Sequence, residues 1–257
     1  MTTVTIFLHI PKTGGSTLHA IHMRLRGPAG EHTRVVDTPD IRHNIATAAD
    51  LLRAPDAPYD TVWGHFHYGV HTASVRPHRY ATLLRDPAQR VLSEYFHVLR
   101  DADHPAHERY HRLPPEEAIA QITPDVQTKI LAGVLDPATP ADLETAKQRL
   151  AGEVAFGLLE RFDESLVLLR RTFGWGMPFY RRRNVGRNRP RQSDPALLAL
   201  AAERNPLDRA LLAFAAELFA ERTAALGWAF RREVALLRAV NPVVGRAAAL
   251  RDRLSGG

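Results

Sequence analysis

An α/β fold, with a P-loop-like open parallel sheet flanked by helices and a largely helical C-terminal half, is what this sequence predicts. Three observations carry that expectation. The run Val4-Thr5-Ile6-Phe7-Leu8 is apolar almost without interruption, the pattern of a strand buried on both faces. It leads into His9-Ile10-Pro11-Lys12-Thr13-Gly14-Gly15-Ser16-Thr17, where two glycines permit a tight turn and Ser16 and Thr17 open a helix. Strand and helix patterns then alternate, which indicates parallel strands joined by right-handed crossovers.

The first strand is expected from Val4 to Ile10, and the helix after it from Ser16 to Arg26, with Leu18, Ile21 and Leu25 on one face. Gly27-Pro28-Ala29-Gly30 ends that helix. A short strand follows over Thr33 to Val36, a helix over Ile41 to Arg53, and strands over Tyr59 to His65 and Arg79 to Leu84. Asp86 then fits a helix N-cap, Pro87 the first helical position and Gln89 the third, completing a capping box. In that helix Leu92, Tyr95, Phe96 and Leu99 face the core, with Arg90, Ser93 and His97 on a neighbouring stripe. The rest reads as helices over Pro115 to Ile122, Pro124 to Ala132, Pro140 to Leu150, Glu164 to Phe173, Ala196 to Arg204 and Leu207 to Leu226, with one short strand over Ala155 to Leu159. Arg181 to Arg191, holding Gly186 and Pro190, reads as a loop. Arg231 to Leu254 reads as a basic helical tail interrupted at Asn241-Pro242. No internal repeat or low-complexity linker divides the chain, so residues 1–257 are expected to form one domain.

A hydrophobic fraction of 45% with 24% charged residues of both signs is that of a folded globular chain. The absence of cysteine excludes disulfides and thiolate metal sites. No apolar stretch approaches the ~20 residues needed to span a bilayer. The first strand starts almost at Met1, without the layout of a signal peptide, so a cytoplasmic location is expected. A net charge of +6 favours anionic partners without choosing among nucleotides, acidic glycans, nucleic acids and membranes.

The unpaired N–H groups at a helix start, with Lys12 poised before them, form a site for a phosphate-like anion. In the nucleoside-triphosphate loop G-x-x-x-x-G-K-[ST] lysine follows the last glycine, whereas Lys12 precedes both glycines here. Lys12, His65 and Arg85 each fall at or just past the C-terminal end of an expected strand, the edge where open parallel sheets bind ligands.

The order P-K-T-G-G-S/T after the first strand resembles the 5′-phosphosulfate loop of sulfotransferases that use 3′-phosphoadenosine 5′-phosphosulfate (PAPS). Leu83-Leu84-Arg85-Asp86-Pro87-Ala88-Gln89-Arg90-Val91-Leu92-Ser93-Glu94-Tyr95 is similar to that family's 3′-phosphate motif, R-D-P-x-x-R-x-x-S-x-Y, at every fixed position. The resemblance implies that the loop Thr13, Gly14, Gly15, Ser16 and Thr17 holds the 5′-phosphate through backbone N–H groups and the Ser16 and Thr17 hydroxyls. It implies that Lys12 neutralises the bridging oxygen as the S–O bond breaks, and that Arg85 and Ser93 bind the 3′-phosphate.

Gly64-His65-Phe66-His67-Tyr68 resembles the Gly-His segment of the heparan and uronyl 2-O-sulfotransferases, whose histidine is the proposed base. An acceptor alcohol must lose its proton as it attacks sulfur, and an imidazole with a pKa of ~6.5 suits that task. His65 and His67 would share a strand face and either can serve; His65 is preferred. A metal cluster of His65, His67 and His71 lacks a cysteine or a well-spaced carboxylate, and no metal is expected. Gln127-Thr128-Lys129 resembles the Asn-x-Gln-Thr-Arg segment of the same branch, near cofactor and acceptor, with Asp125 in place of asparagine and Lys129 in place of arginine. The resemblance thus implies sulfuryl transfer from PAPS to a hydroxyl on a glycan or small molecule, with no nucleic-acid partner. Two alternatives stay open: a nucleotide-dependent kinase or NTPase of related fold, and a non-catalytic binder of acidic polymers through the arginine-rich loop.

Overall fold

The computed structural model describes residues 2–26, 32–180 and 194–254, with side chains as far as residue 244. The arginine-rich stretch 181–191 therefore lies outside the described residues. Five strands form one sheet: β1 (Val4–Leu8), β2 (Thr33–Val36), β3 (Thr61–Gly64), β4 (His78–Leu84) and β5 (Val154–Leu158). All pairings are parallel, in the order β2-β3-β1-β4-β5, so the expected open parallel sheet is present.

The helices in chain order are α1 (Gly15–Arg26), α2 (Ile41–Leu52), α3 (Pro87–Val98), α4 (His107–Arg112), α5 (Pro115–Ala120), α6 (Val126–Ala132), α7 (Pro140–Gly152), α8 (Phe162–Phe173), α9 (Pro195–Glu203), α10 (Pro206–Ala225) and α11 (Gly227–Leu254). Side chains alternate across the sheet, as the two-residue period of a strand requires. Val4, Ile6 and Leu8 pack with Val62 under α2, α7 and α10, while Phe7 points to the other face, against α1, α8 and α11. There Phe7 stacks on Trp63 at 3.7 Å between centroids. A third apolar cluster joins α3 to α5 and α9.

The register sets the site. Leu8 pairs with Gly64 of β3 and with Thr82 of β4, and Val36 pairs with Gly64. The segments after β2, β3, β1 and β4 therefore all emerge at one edge.

Three local expectations are corrected. β1 stops at Leu8 rather than Ile10: His9 N still donates to Gly64 O at 2.9 Å, but Ile10 N turns back to Leu8 O at 3.2 Å. Asp86 does cap α3, accepting from Gln89 N at 2.8 Å, yet its own N–H donates to Glu160 Oε1 at 2.8 Å. The second half of the expected box is thus supplied across the sheet, because the turn after β5 brings Glu160 beside the end of β4. Finally, α11 runs through Pro242 without a break. A proline removes one internal hydrogen bond, and burial of Phe230, Val234 and Leu237 anchors the helix before it.

Candidate active site

The turn from β1 into α1 is held in an unusual shape. Lys12 has φ 66° and Gly14 φ 92°, both left-handed, which for a non-glycine residue costs on the order of 1–3 kcal/mol. At Gly14 a Cβ would be strained by that φ and would crowd Leu159. At Gly15 it would run into the imidazole of His9. Thr13 is buried and its hydroxyl donates to Ile10 O at 2.9 Å, so its side chain braces the turn. Leu18 N is the first to reach back a full helical turn, to Gly14 O at 3.2 Å. The N–H groups of Gly15 and Ser16 precede it, in the positions a helix leaves without internal partners. Ser16 is exposed and Thr17 half-buried at this mouth.

Burial lowers the Lys12 ammonium from its usual range to about 8; Glu94 opposes the shift, and Arg100 and Arg85 add to it. Lys12 in turn depresses His97, second to burial, so α3 runs beside the loop. Ser93, half-buried, lies on α3 one turn before His97. Arg85 leaves the end of β4 and donates through Nη1 to Lys12 O at 2.8 Å. The two motif segments recognised in the sequence are therefore in direct contact.

Arg85 is itself clamped. Its N–H donates to Gln127 Oε1 at 2.9 Å, and Gln127 Nε2 donates to its carbonyl at 2.9 Å. Gln127 N and Thr128 N donate to buried Asp208 at 3.1 and 2.7 Å, and Asp125 accepts from Asp208 N at 2.9 Å. The Gln127 segment, expected near cofactor and acceptor, thus holds the backbone of a motif arginine.

On the other side of β1, His65 follows the last residue of β3. Its Nδ1 lies 2.6 Å from His9 O, and its ring stacks on that of His9 at 4.3 Å. A carbonyl only accepts, so Nδ1 carries a proton, and in the neutral ring the lone pair is on Nε2. Nε2 stands 3.5 Å from Asp37 Oδ1, one residue beyond β2. Burial foremost, and the charges of His65, His19 and Lys12 after it, push His9 down to about 3, so it is neutral at physiological pH. His65 and His67 form no strand face, because β3 has already ended at Gly64. His67 is buried, and burial with nearby Lys129 lowers it to about 4.

His9, Asp37 and Glu160 were not singled out from the sequence. The rule that ligands gather at strand C-termini, applied to β2 as well as to its neighbours, points to Asp37. Among the described residues no group of three or more His, Asp or Glu side chains is placed to hold a metal. Among them, too, no helix is long and apolar enough to cross a membrane.

No curated protein matches this chain in sequence. The crystal structure of a mouse sulfotransferase, SULT7A1, complexed with PAP is similar at a TM-score of 0.40 and 14% identity. The match covers 78% of this chain and 62% of that one, so this chain spans less than two thirds of the mouse protein's length. The model of the sulfotransferase family matches residues 2–137, more than half of the sequence and every motif residue placed above. The chain belongs to the sulfotransferase family.

Proposed function

We propose that this protein transfers the sulfuryl group of PAPS to a hydroxyl group, and that the hydroxyl belongs to a carbohydrate. The observation that carries the reading is the contact of Arg85 Nη1 with Lys12 O, which joins both motif segments at one sheet edge. The residues present suit a nucleotide that is anionic at both ends. The amides of Gly15 and Ser16 lie in the first turn of α1, Gly14 and Gly15 lack a Cβ where one would crowd the turn, and Lys12 and Arg85 supply positive charge.

When bound, the nucleotide supplies an activated sulfuryl group on a good leaving phosphate. The loop Thr13, Gly14, Gly15, Ser16 and Thr17 would hold the 5′ end through its amides and the Ser16 and Thr17 hydroxyls. Arg85 and Ser93 would hold the 3′-phosphate, with the backbone of Arg85 fixed by Gln127. His65 takes the acceptor proton on Nε2, its tautomer set by the His9 carbonyl. Lys12 places its charge where negative charge grows on the departing phosphate, commonly the largest catalytic term. The balance closes with the hydroxyl proton on His65, a new O–S bond, and the old S–O electron pair on phosphate.

Calorimetric titration with 3′,5′-adenosine bisphosphate tests the nucleotide half, and labelled-sulfate transfer from PAPS to saccharides tests the whole. The expected result is saturable binding without added metal; a protein that binds no adenosine bisphosphate overturns the reading.

A further inference from the structure

We infer that Asp37 is an acceptor-binding residue, and that it selects a hydroxyl flanked by a second hydrogen-bond donor, an amine or another hydroxyl, over an acidic saccharide. The inference rests on the reading of His65 as the base. With its proton on Nδ1, the neutral His65 ring that acts as base presents a lone pair at Nε2, and Asp37 presents a carboxylate oxygen 3.5 Å away. Two acceptors facing each other make no hydrogen bond; they are complementary to a ligand that brings two donors side by side. An amino alcohol or a vicinal diol does so, one O–H directed to Nε2 and the neighbouring N–H or O–H to the carboxylate.

The position supports this use. The Asp37 side chain is 59% exposed and that of His65 26%, so the pair opens to solvent. It stands beyond β2 and β3, whereas the Arg85 clamp stands beyond β4, on the far side of β1. The strand order thus separates a nucleotide half from an acceptor half, with the Lys12 turn between them. Asp37 also favours the outcome of proton transfer, since the imidazolium formed at Nε2 faces a carboxylate. A uronate or sulfate ester in that place meets like charge instead.

Three trisaccharides test the inference on the full chain: a chitosan trimer carrying amines, neutral maltotriose, and trigalacturonate. Uptake into the adenosine-bisphosphate-bound protein is read by ligand-observed NMR, and transfer from PAPS by KM and kcat. The wild type is expected to prefer the amine and neutral trimers. Asp37→Asn raises KM for the amine trimer about tenfold, Asp37→Glu restores it, and Asp37→Lys turns preference toward trigalacturonate. Adenosine bisphosphate affinity stays unchanged in all three variants, which a general loss of fold does not allow. A wild type that binds the nucleotide yet prefers trigalacturonate, takes up none of the trimers, or keeps its ranking in Asp37→Lys overturns the role of Asp37 alone. Failure of the nucleotide titration overturns the sulfuryl-transfer reading, and this inference with it.

Discussion

The two halves of the site are built differently on either side of β1. Beyond β4 the chain is cross-tied: Arg85 bonds the Lys12 turn, Gln127 clamps Arg85 on both backbone groups, and buried Asp208 holds the Gln127 segment from behind. Beyond β3 and β2 His65 is held by its backbone N–H on Val36 O, its Nδ1 on His9 O and one ring stack, with no clamp on its neighbours like that on Arg85, and Asp37 is exposed. A half whose polar groups are paired internally recognises one shape. A half with exposed acceptors leaves recognition to the ligand's donors. The contrast suits one fixed donor and an acceptor chosen by a few exposed side chains.

The sharpest way to break that contrast is to remove the charge at the junction. Lys12→Ala is expected to lower kcat by roughly 10²–10³-fold, the scale of one preorganised group lost from the developing charge. Removal of a left-handed lysine from a turn leaves melting temperature close to wild type. Unchanged transfer by a folded Lys12→Ala protein places the chemistry elsewhere.

The same lysine sets an upper pH limit. Its ammonium titrates at about 8 in the free protein, below the ordinary lysine range because it is buried. In the proposed transfer only the protonated form compensates the leaving phosphate, so kcat/KM is expected to fall as pH rises through about 8, approaching tenfold per pH unit. Lys12→Arg keeps its charge at all such pH values and removes this descending limb, at a lower plateau. A limb that persists in Lys12→Arg belongs to another group.

The clamp on Arg85 is tested by Gln127→Ala, which strips partners from the arginine N–H and carbonyl. Leaving such groups unsatisfied costs about 1–3 kcal/mol of stability. The loosened arginine is expected to weaken adenosine bisphosphate binding by about tenfold, while the Asp37 half keeps its acceptor ranking. Equal damage to both halves shows that they are a single unit.

How legible this was in the sequence depends on how local each cause is. α1, β4 and the Asp86 cap at the start of α3 follow from short apolar runs and from Asp86-Pro87, and β1 does too, although it ends at Leu8 rather than Ile10. The convergence of Lys12, His65 and Arg85 follows from strand termini alone. The closure of the Asp86 cap by Glu160 and the clamp of Gln127 on Arg85 span 74 and 42 residues, and depend on β5 and α6 docking beside β4. Asp37 meets His65 because β2 pairs with β3, and no local pattern announces that pairing. The expected shared face of His65 and His67 fails for a related reason: alternation holds only while a strand lasts, and this one ends at Gly64.

Those two histidines offer the smallest and most selective contrast. His65 lies open at the site, whereas His67 is buried beside Lys129 and lowered to about 4, first by burial and then by that charge. His22 is lowered to about 4 as well, by burial and then by Arg26. In the unfolded chain both return to the ordinary histidine range near ~6.5. Between those values the unfolded chain binds protons that the native state refuses, so stability present above ~6.5 is lost as pH falls toward 4. His67→Gln removes one of these groups and is expected to flatten the fall of unfolding free energy across that window, by an amount on the order of 1–3 kcal/mol at the acid end. Lys129→Gln, which takes away only the neighbouring charge, flattens it less. Identical slopes for wild type and His67→Gln show instead that the buried ring is protonated along with the unfolded chain.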